Sequence, residues 1–329
     1  MEETAAPILE VRNLSISYPI TIGTVQAVRD VSFTLADGES LGLVGESGCG
    51  KSTLGLAILD LLRPPGRITG GQIVYRGRDI LKMGNRELLS LRGQNISMIF
   101  QNPLTSLNPL FTVEKHFLET IKQHDPSMSR ETAIGGVEKL LQTLGIEKKR
   151  LKEYPHQLSG GMRQRIMIGL ALVMNPDILV ADEPTTSLDV IVEAGFTELL
   201  AGLKELYALS LILITHNLGL VAQVADRIAV MYGGRIMELA SAAEIFAHPL
   251  HPYTQGLIKS VPNILLEQKE LETMPGSPPD LVAPPPGCPF APRCPHVMDI
   301  CRARMPRLSQ YGREGDSHTA ACWLHQKER

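Results

Sequence analysis

Gly45-Glu46-Ser47-Gly48-Cys49-Gly50-Lys51-Ser52 meets every fixed position of the pattern G-x-x-x-x-G-K-[ST], between the apolar segment Ser40–Val44 and a stretch of helical character. Such a run binds the phosphates of a nucleoside triphosphate. Its small residues let several backbone N–H groups curl round the anion, and the helix that follows points a positive end of roughly half a charge at it. Lys51 adds a mobile cation, the Ser52 hydroxyl can ligate Mg²⁺, and Thr53 closes the loop. A glycine-rich turn that binds nothing would not also bring a strand before it and a helix behind it.

The rest of the chain sets the scale around that loop. Its 329 residues suffice for one large α/β domain with an appendage, or for two domains. With 20 % charged and 43 % hydrophobic residues and a net charge of −3, there is no basic excess to suggest nucleic acid. The opening MEETAAPILEVRN lacks a cationic region followed by an apolar stretch, and no apolar run approaches the ~18 to 20 residues that cross a bilayer. The expectation is a chain that stays in the cytosol and meets a membrane only through a partner.

Short β-rich runs at 8–11, 40–44, 96–100, 178–181, 211–215 and 227–231 alternate with helical patterns. This predicts an α/β fold with a mostly parallel, buried sheet. Beyond Leu239 the chain passes through His248-Pro249-Leu250-His251-Pro252-Tyr253, a helical stretch, and MPGSPPDLVAPPPG at 274–287, which reads as a stiff linker.

Two further motifs complete a nucleotide site. Ile178-Leu179-Val180-Ala181-Asp182-Glu183 is an apolar strand ending in two carboxylates. Asp182 can hold the metal, and Glu183 can take the proton of an attacking water. Leu158-Ser159-Gly160-Gly161-Met162 opens a predicted helix over 163–173, so Ser159 and the amides of Gly160 and Gly161 form a second anion-binding helix end. One nucleotide rarely needs two such ends from one chain; two chains placed head to tail, each lending one end, would resolve this.

In this order and spacing, the three motifs make residues 8 to 240 resemble the ATP-binding-cassette ATPases. The resemblance implies a P-loop NTPase core with a helical subdomain at about 102–172, within a nucleotide-binding domain at 1–240 and ahead of a C-terminal extension at 241–329. It also implies roles for single residues. Tyr18 would stack on adenine, Gln101 would touch Mg²⁺ and the attacking water, Ser187-Leu188-Asp189 would cross the dimer interface, and His216 would contact the γ-phosphate. Met162 departs from the family, which usually has glutamine there.

The run Gln101-Asn102-Pro103-Leu104-Thr105-Ser106-Leu107-Asn108-Pro109, the Ser-Gly-Gly-Met-Arg-Gln-Arg run and the His-Pro-x-His-Pro-Tyr segment look like the ATPase subunits of dipeptide and oligopeptide importers; a few nickel importers share them. That subfamily implies a second ATPase chain, a paralogue by preference, two transmembrane permease subunits and an extracytoplasmic peptide-binding protein. The chain would then sit at the cytoplasmic face of the bacterial inner membrane. Rival readings are a soluble cassette protein of DNA repair or translation, which lacks support from coiled-coil insertions or basic surfaces here, and an exporter ATPase.

Cys49 reads as an incidental small residue of the loop. Cys288, Cys294, Cys301 and Cys322 fall within the last 42 residues as C-x5-C-x6-C-x20-C, which argues for metal ligation rather than disulfides. No C-x2-4-C pair favours zinc, although His296, His318 and His325 could substitute as ligands; unligated thiols remain open. Similar tails in some dipeptide-importer ATPases hold a [4Fe–4S] cluster, so the resemblance implies these four cysteines as its ligands. A tail this poor in apolar residues is expected to need the metal to fold.

Overall fold

The computed structural model describes residues 6–101, 107–185, 190–260, 274–311 and 318–326. Its contacts divide the chain into two units: Met1–Lys82 with Leu213–Arg329, and Met83–Ile212.

The first unit opens with β1 (Leu9–Ile20) and β2 (Gly23–Leu35), an antiparallel pair in which Leu9 faces Leu35 and Ile20 faces Gly23. After the fully buried β3 (Ser40–Val44) and α1 (Lys51–Ile58) come β4 (Arg67–Tyr75) and β5 (Arg78–Asp79), which complete a four-stranded sheet in the order β2-β1-β4-β5. The mostly parallel reading missed this sheet and shortened β1 to four residues. The cause is local: register shifts lie between Val11 and Leu14 and on either side of Ile16, so the period-2 alternation of an antiparallel strand is broken.

The second unit contains α2 (Asn85–Gln94), β6 (Ile96–Ile99), α3 (Val113–His124), α4 (Arg130–Thr143), α5 (Gly160–Leu172), β7 (Ile178–Asp182) and α6 (Val190–Tyr207). Strands β6 and β7 pair in parallel, Ile96 with Ile178 and Ile99 with Ala181, and all their residues are buried. Thr112, Ser129 and Ser159 each cap a helix by accepting a backbone N–H with their hydroxyl, which fixes where α3, α4 and α5 begin. The last of these starts three residues earlier than the periodicity predicts, because the cap, not the first apolar residue, sets the boundary. Phe117, Val137, Leu141, Leu144, Ile166 and Ile168 form the apolar seam of these helices.

The chain returns to the first unit within β8 (Ser210–Thr215) and continues through α7 (Leu218–Val224), β9 (Arg227–Tyr232), β10 (Arg235–Ser241), α8 (Ala242–Ala247) and α9 (Pro252–Lys259). Strand β9 runs parallel to β3, Leu41 facing Arg227 and Val44 facing Val230, and β10 turns back antiparallel on β9. The tail adds a short helix α10 (Asp299–Ala303) and two short strands, β11 (Ser309–Gln310) and β12 (Thr319–Ala320). The second of these pairs with β10.

The proline-rich run at 274–287 is not a free linker. The Gln26 N–H donates to the Leu281 carbonyl at 2.8 Å, and Val282 lies where any side chain on Gly23 would have to go. Among the described residues no helix is long and apolar enough to cross a membrane.

Candidate nucleotide site

The phosphate loop is formed as its sequence predicts. Strand β3 ends at Val44, the loop occupies 45–50, and α1 begins at Lys51. Gly45 and Gly50 have φ of 151° and 104°, where a side chain is strained; a Cβ on Gly45 would also run into the Met231 carbonyl, and one on Gly50 into that of Ala27. The glycines are therefore required by close backbone approach from β9 and β2. No side chain caps α1, and its first turn holds no carboxylate, so its positive end is left for an external anion.

Lys51 is 4 % exposed, and its Nζ donates to the carbonyls of Gly45 at 2.7 Å and Glu46 at 3.1 Å. It lies 3.7 Å from Cys49 Sγ. Burial pushes the Cys49 thiol above its usual range and keeps it protonated, which suits a small filler and not a redox thiolate. Elsewhere in this unit, Tyr18 is half-buried on β1 with its ring against Gly66, and His216 is exposed directly after β8. Asn217, the next residue, caps α7.

In the other unit, Asp182 is the buried last residue of β7, and Glu183 follows at φ 43°, a left-handed conformation that a non-glycine residue rarely adopts. Gln101 Nε2 donates to Glu183 Oε2 at 2.9 Å, joining two residues that the sequence singled out 82 positions apart. Buried Gln164 on α5 donates to the Pro184 carbonyl, and the Thr185 hydroxyl donates to Glu193 at 3.0 Å, so the turn behind Glu183 is held on both sides. Ser159 and Gly160 are exposed at the start of α5. Asp189, like Ser187, Leu188 and residues 102–106, lies outside the described residues.

Ser52, Gln101 and Asp182, the residues the sequence singled out for Mg²⁺, each carry an oxygen donor of the kind a hard cation takes. The cysteine tail does not fit a cluster. Among the described residues no group of three or more His, Cys, Asp or Glu side chains is arranged to hold a metal ion, and all five cysteines are free thiols. This corrects the iron–sulfur expectation for Cys288, Cys294, Cys301 and Cys322. Burial, followed in smaller measure by the neighbouring thiols, pushes Cys288 up to about 12, and burial pushes Cys322 up to about 11; both are neutral thiols packed in a core. Two of the three substitute ligands, His318 and His325, face Glu238 at 2.7 Å and the Leu250 carbonyl at 3.0 Å. The tail is also better furnished with apolar contacts than its composition suggests, since Phe290 stacks edge-on to Tyr232 at 5.4 Å and close to Tyr253.

Sequence reasoning missed the residues that support the loop from behind. Tyr253 stood in the His-Pro-x-His-Pro-Tyr run without a role, and Arg293 had no signal at all. Both touch Glu46, from 207 and 247 positions away.

Strand, glycine loop, uncapped helix and buried lysine define a P-loop nucleotide-binding protein. Residues 28–186 match the family model "ABC transporter", and residues 237–301 match "Oligopeptide/dipeptide transporter, C-terminal region". Among curated relatives, the dipeptide transport ATP-binding protein DppD of Bacillus subtilis is 49 % identical over 96 % of this chain and 94 % of its own length. The oligopeptide transport ATP-binding protein OppD of Salmonella typhimurium is 47 % identical over 92 % of this chain and 91 % of its own. Among solved structures, the ATP-binding cassette MJ0796, a dimer bound to ADP and Pi, matches with TM-score 0.64 at 27 % identity, covering 71 % of this chain and 98 % of that one. The chain belongs to the ABC transporter ATPases, and its C-terminal region is that of the oligopeptide and dipeptide transporters.

Proposed function

We propose that this chain is the ATP-hydrolysing subunit of an importer for dipeptides and oligopeptides. The observation that carries the reading is the union, in one chain, of a formed phosphate loop with the oligopeptide/dipeptide C-terminal region at 237–301. The two curated relatives named above are peptide-transport ATP-binding proteins by name. No comparable observation favours nickel import or a soluble cassette.

In this reading the nucleotide-binding domain is 1–240, with its helical subdomain at about 102–172, and the extension is 241–329. Gly45, Glu46, Ser47, Gly48, Cys49, Gly50, Lys51, Ser52 and Thr53 cradle the phosphates, and Tyr18 stacks on the base. Ser52, Gln101 and Asp182 hold Mg²⁺. When bound, Mg²⁺ would supply charge neutralisation at the phosphates. Glu183 accepts the proton of the attacking water, and the Gln101 hydrogen bond at 2.9 Å supports that role by holding its carboxylate in one place. His216 contacts the γ-phosphate. Ser159, Gly160, Gly161 and Asp189 serve the nucleotide of a second cassette, a paralogue, and the exposed cap of α5 supports this. Two permease subunits and a peptide-binding protein complete the assembly, with this chain peripheral on the cytoplasmic face.

The test is reconstitution with the membrane subunits and binding protein. Dipeptide-loaded binding protein should raise ATP hydrolysis in the wild type, whereas Glu183→Gln should bind ATP and accumulate as a closed dimer. Ordinary turnover by Glu183→Gln would remove Glu183 as the base, and indifference to peptide would remove the cargo.

A further inference from the structure

Glu46, second residue of the phosphate loop, is gripped by the C-terminal extension at two points. Its N–H donates to the Tyr253 hydroxyl at 2.9 Å, and its carboxylate accepts from Arg293 Nη1 at 2.8 Å. Neither partner is free to drift. Tyr253 is fully buried in a cluster with Tyr232, at 4.5 Å between ring centroids, and Phe290, at 5.4 Å. The Arg293 side chain is 6 % exposed and spends its other donors on Tyr232 Oη at 3.0 Å and the carbonyls of Pro275, at 2.8 Å, and Met274. With the Glu46 bond, four of the five N–H donors of the planar guanidinium are held.

The grip reaches the phosphate-loop lysine through one more bond. Lys51 Nζ rests on the carbonyls of Gly45 and Glu46, so the residue held by the extension is the one from which Lys51 must swing to a phosphate. The grip has an electrostatic side as well. Glu46 places a carboxylate in a loop whose ligand is a polyanion, and Arg293 is the charge that offsets it.

We propose that the C-terminal extension braces the phosphate loop, with Arg293 and Tyr253 as positioning residues for nucleotide binding: Tyr253 sets the loop's backbone and Arg293 cancels the Glu46 charge. The extension is thereby part of the nucleotide machinery as well as of the transporter. A disturbance of the extension would be felt as a change in nucleotide affinity. This rests on the ATPase reading above.

The experiment is titration of the full chain with Mg·ADP, which is not hydrolysed, by calorimetry at two salt concentrations. Arg293→Met should weaken binding about tenfold at low salt and less at high salt, where repulsion from the bared carboxylate is screened. Adding Glu46→Gln to Arg293→Met should recover most of the loss, which a merely structural role for Arg293 would not allow. Tyr253→Phe keeps the ring and loses the acceptor, and should weaken binding about threefold with little salt dependence. Wild-type affinity in folded Arg293→Met, or no rescue by Glu46→Gln, overturns the charge-cancelling role. Should Arg293→Met fail to fold, Tyr253→Phe decides alone, and unchanged binding there overturns the brace. Absence of Mg·ADP binding by the wild type would instead overturn the ATPase reading, and the brace with it.

Discussion

Buried polar side chains hold the extension to the core, and one of them, His251, gives it a pH response. Glu238 on β10 has no exposed surface; its carboxylate accepts the N–H groups of Leu250, at 2.7 Å, and His251, at 2.9 Å, and faces His318. His251 is itself fully buried, and its Nδ1 accepts the Tyr253 N–H at 3.0 Å to cap α9. Burial, with a smaller repulsion from His325, lowers its pKa to about 3. The sign follows from linkage: between about pH 6.5 and pH 3 the unfolded chain binds this proton and the folded chain does not, so stability falls as pH falls. At pH 5 the loss is about 2 kcal/mol relative to pH 7.5. Urea unfolding should show a lower midpoint at pH 5, and His251→Asn, which retains a capping acceptor, should flatten that slope. An equal slope in the variant would assign the acid sensitivity elsewhere. Glu183 is the other residue whose state was not visible in its identity: the carboxylate was legible, its left-handed backbone was not.

Helix α5 shows two glycines with opposite uses. A Cβ on Gly169 would lie 2.9 Å from Leu144 Cδ1 and 3.0 Å from Phe117 Cζ, so glycine there is what lets α5 sit against its neighbours. Gly160 meets nothing within 4 Å. Gly169→Val should therefore destabilise by about 2 kcal/mol through overpacking. Gly160→Val should leave the unfolding free energy within about 0.5 kcal/mol of wild type and sharply reduce ATP hydrolysis. If Gly160→Val hydrolysed ATP normally, α5's start would not serve a nucleotide. Sequence reading found the Ser-Gly-Gly run at the head of this helix, because a hydroxyl before two glycines is a local chemical pattern, though it began the helix itself three residues late. It did not find Gly169, whose meaning depends on what lies across the helix interface. The antiparallel pair β1 and β2 failed for a related reason, since irregular register erases the alternation by which a strand is recognised.

At the scale of the molecule, the tail is a structural part of its unit. Phe290 packs on Tyr232 and Tyr253, β12 extends β10, and His318 faces buried Glu238. Ending the chain after residue 273 removes all three, and should cost about 5 kcal/mol of stability, from one buried aromatic and one broken buried pair. A truncated chain with the full-length urea midpoint would show the tail to be dispensable. The sequence by itself determined the phosphate loop, the strand with its two carboxylates, the Ser-Gly-Gly run and the peptide-importer resemblance. Each is a set of residue types at short fixed spacing, whose chemistry is local. Only the tertiary structure decided that the tail cysteines are free thiols, three buried and Cys294 half-buried, that the proline-rich run is docked, and that Arg293 and Tyr253 close on Glu46. Those contacts join residues up to 247 positions apart, and which distant side chains meet is settled by how the whole chain packs, not by any pattern along it.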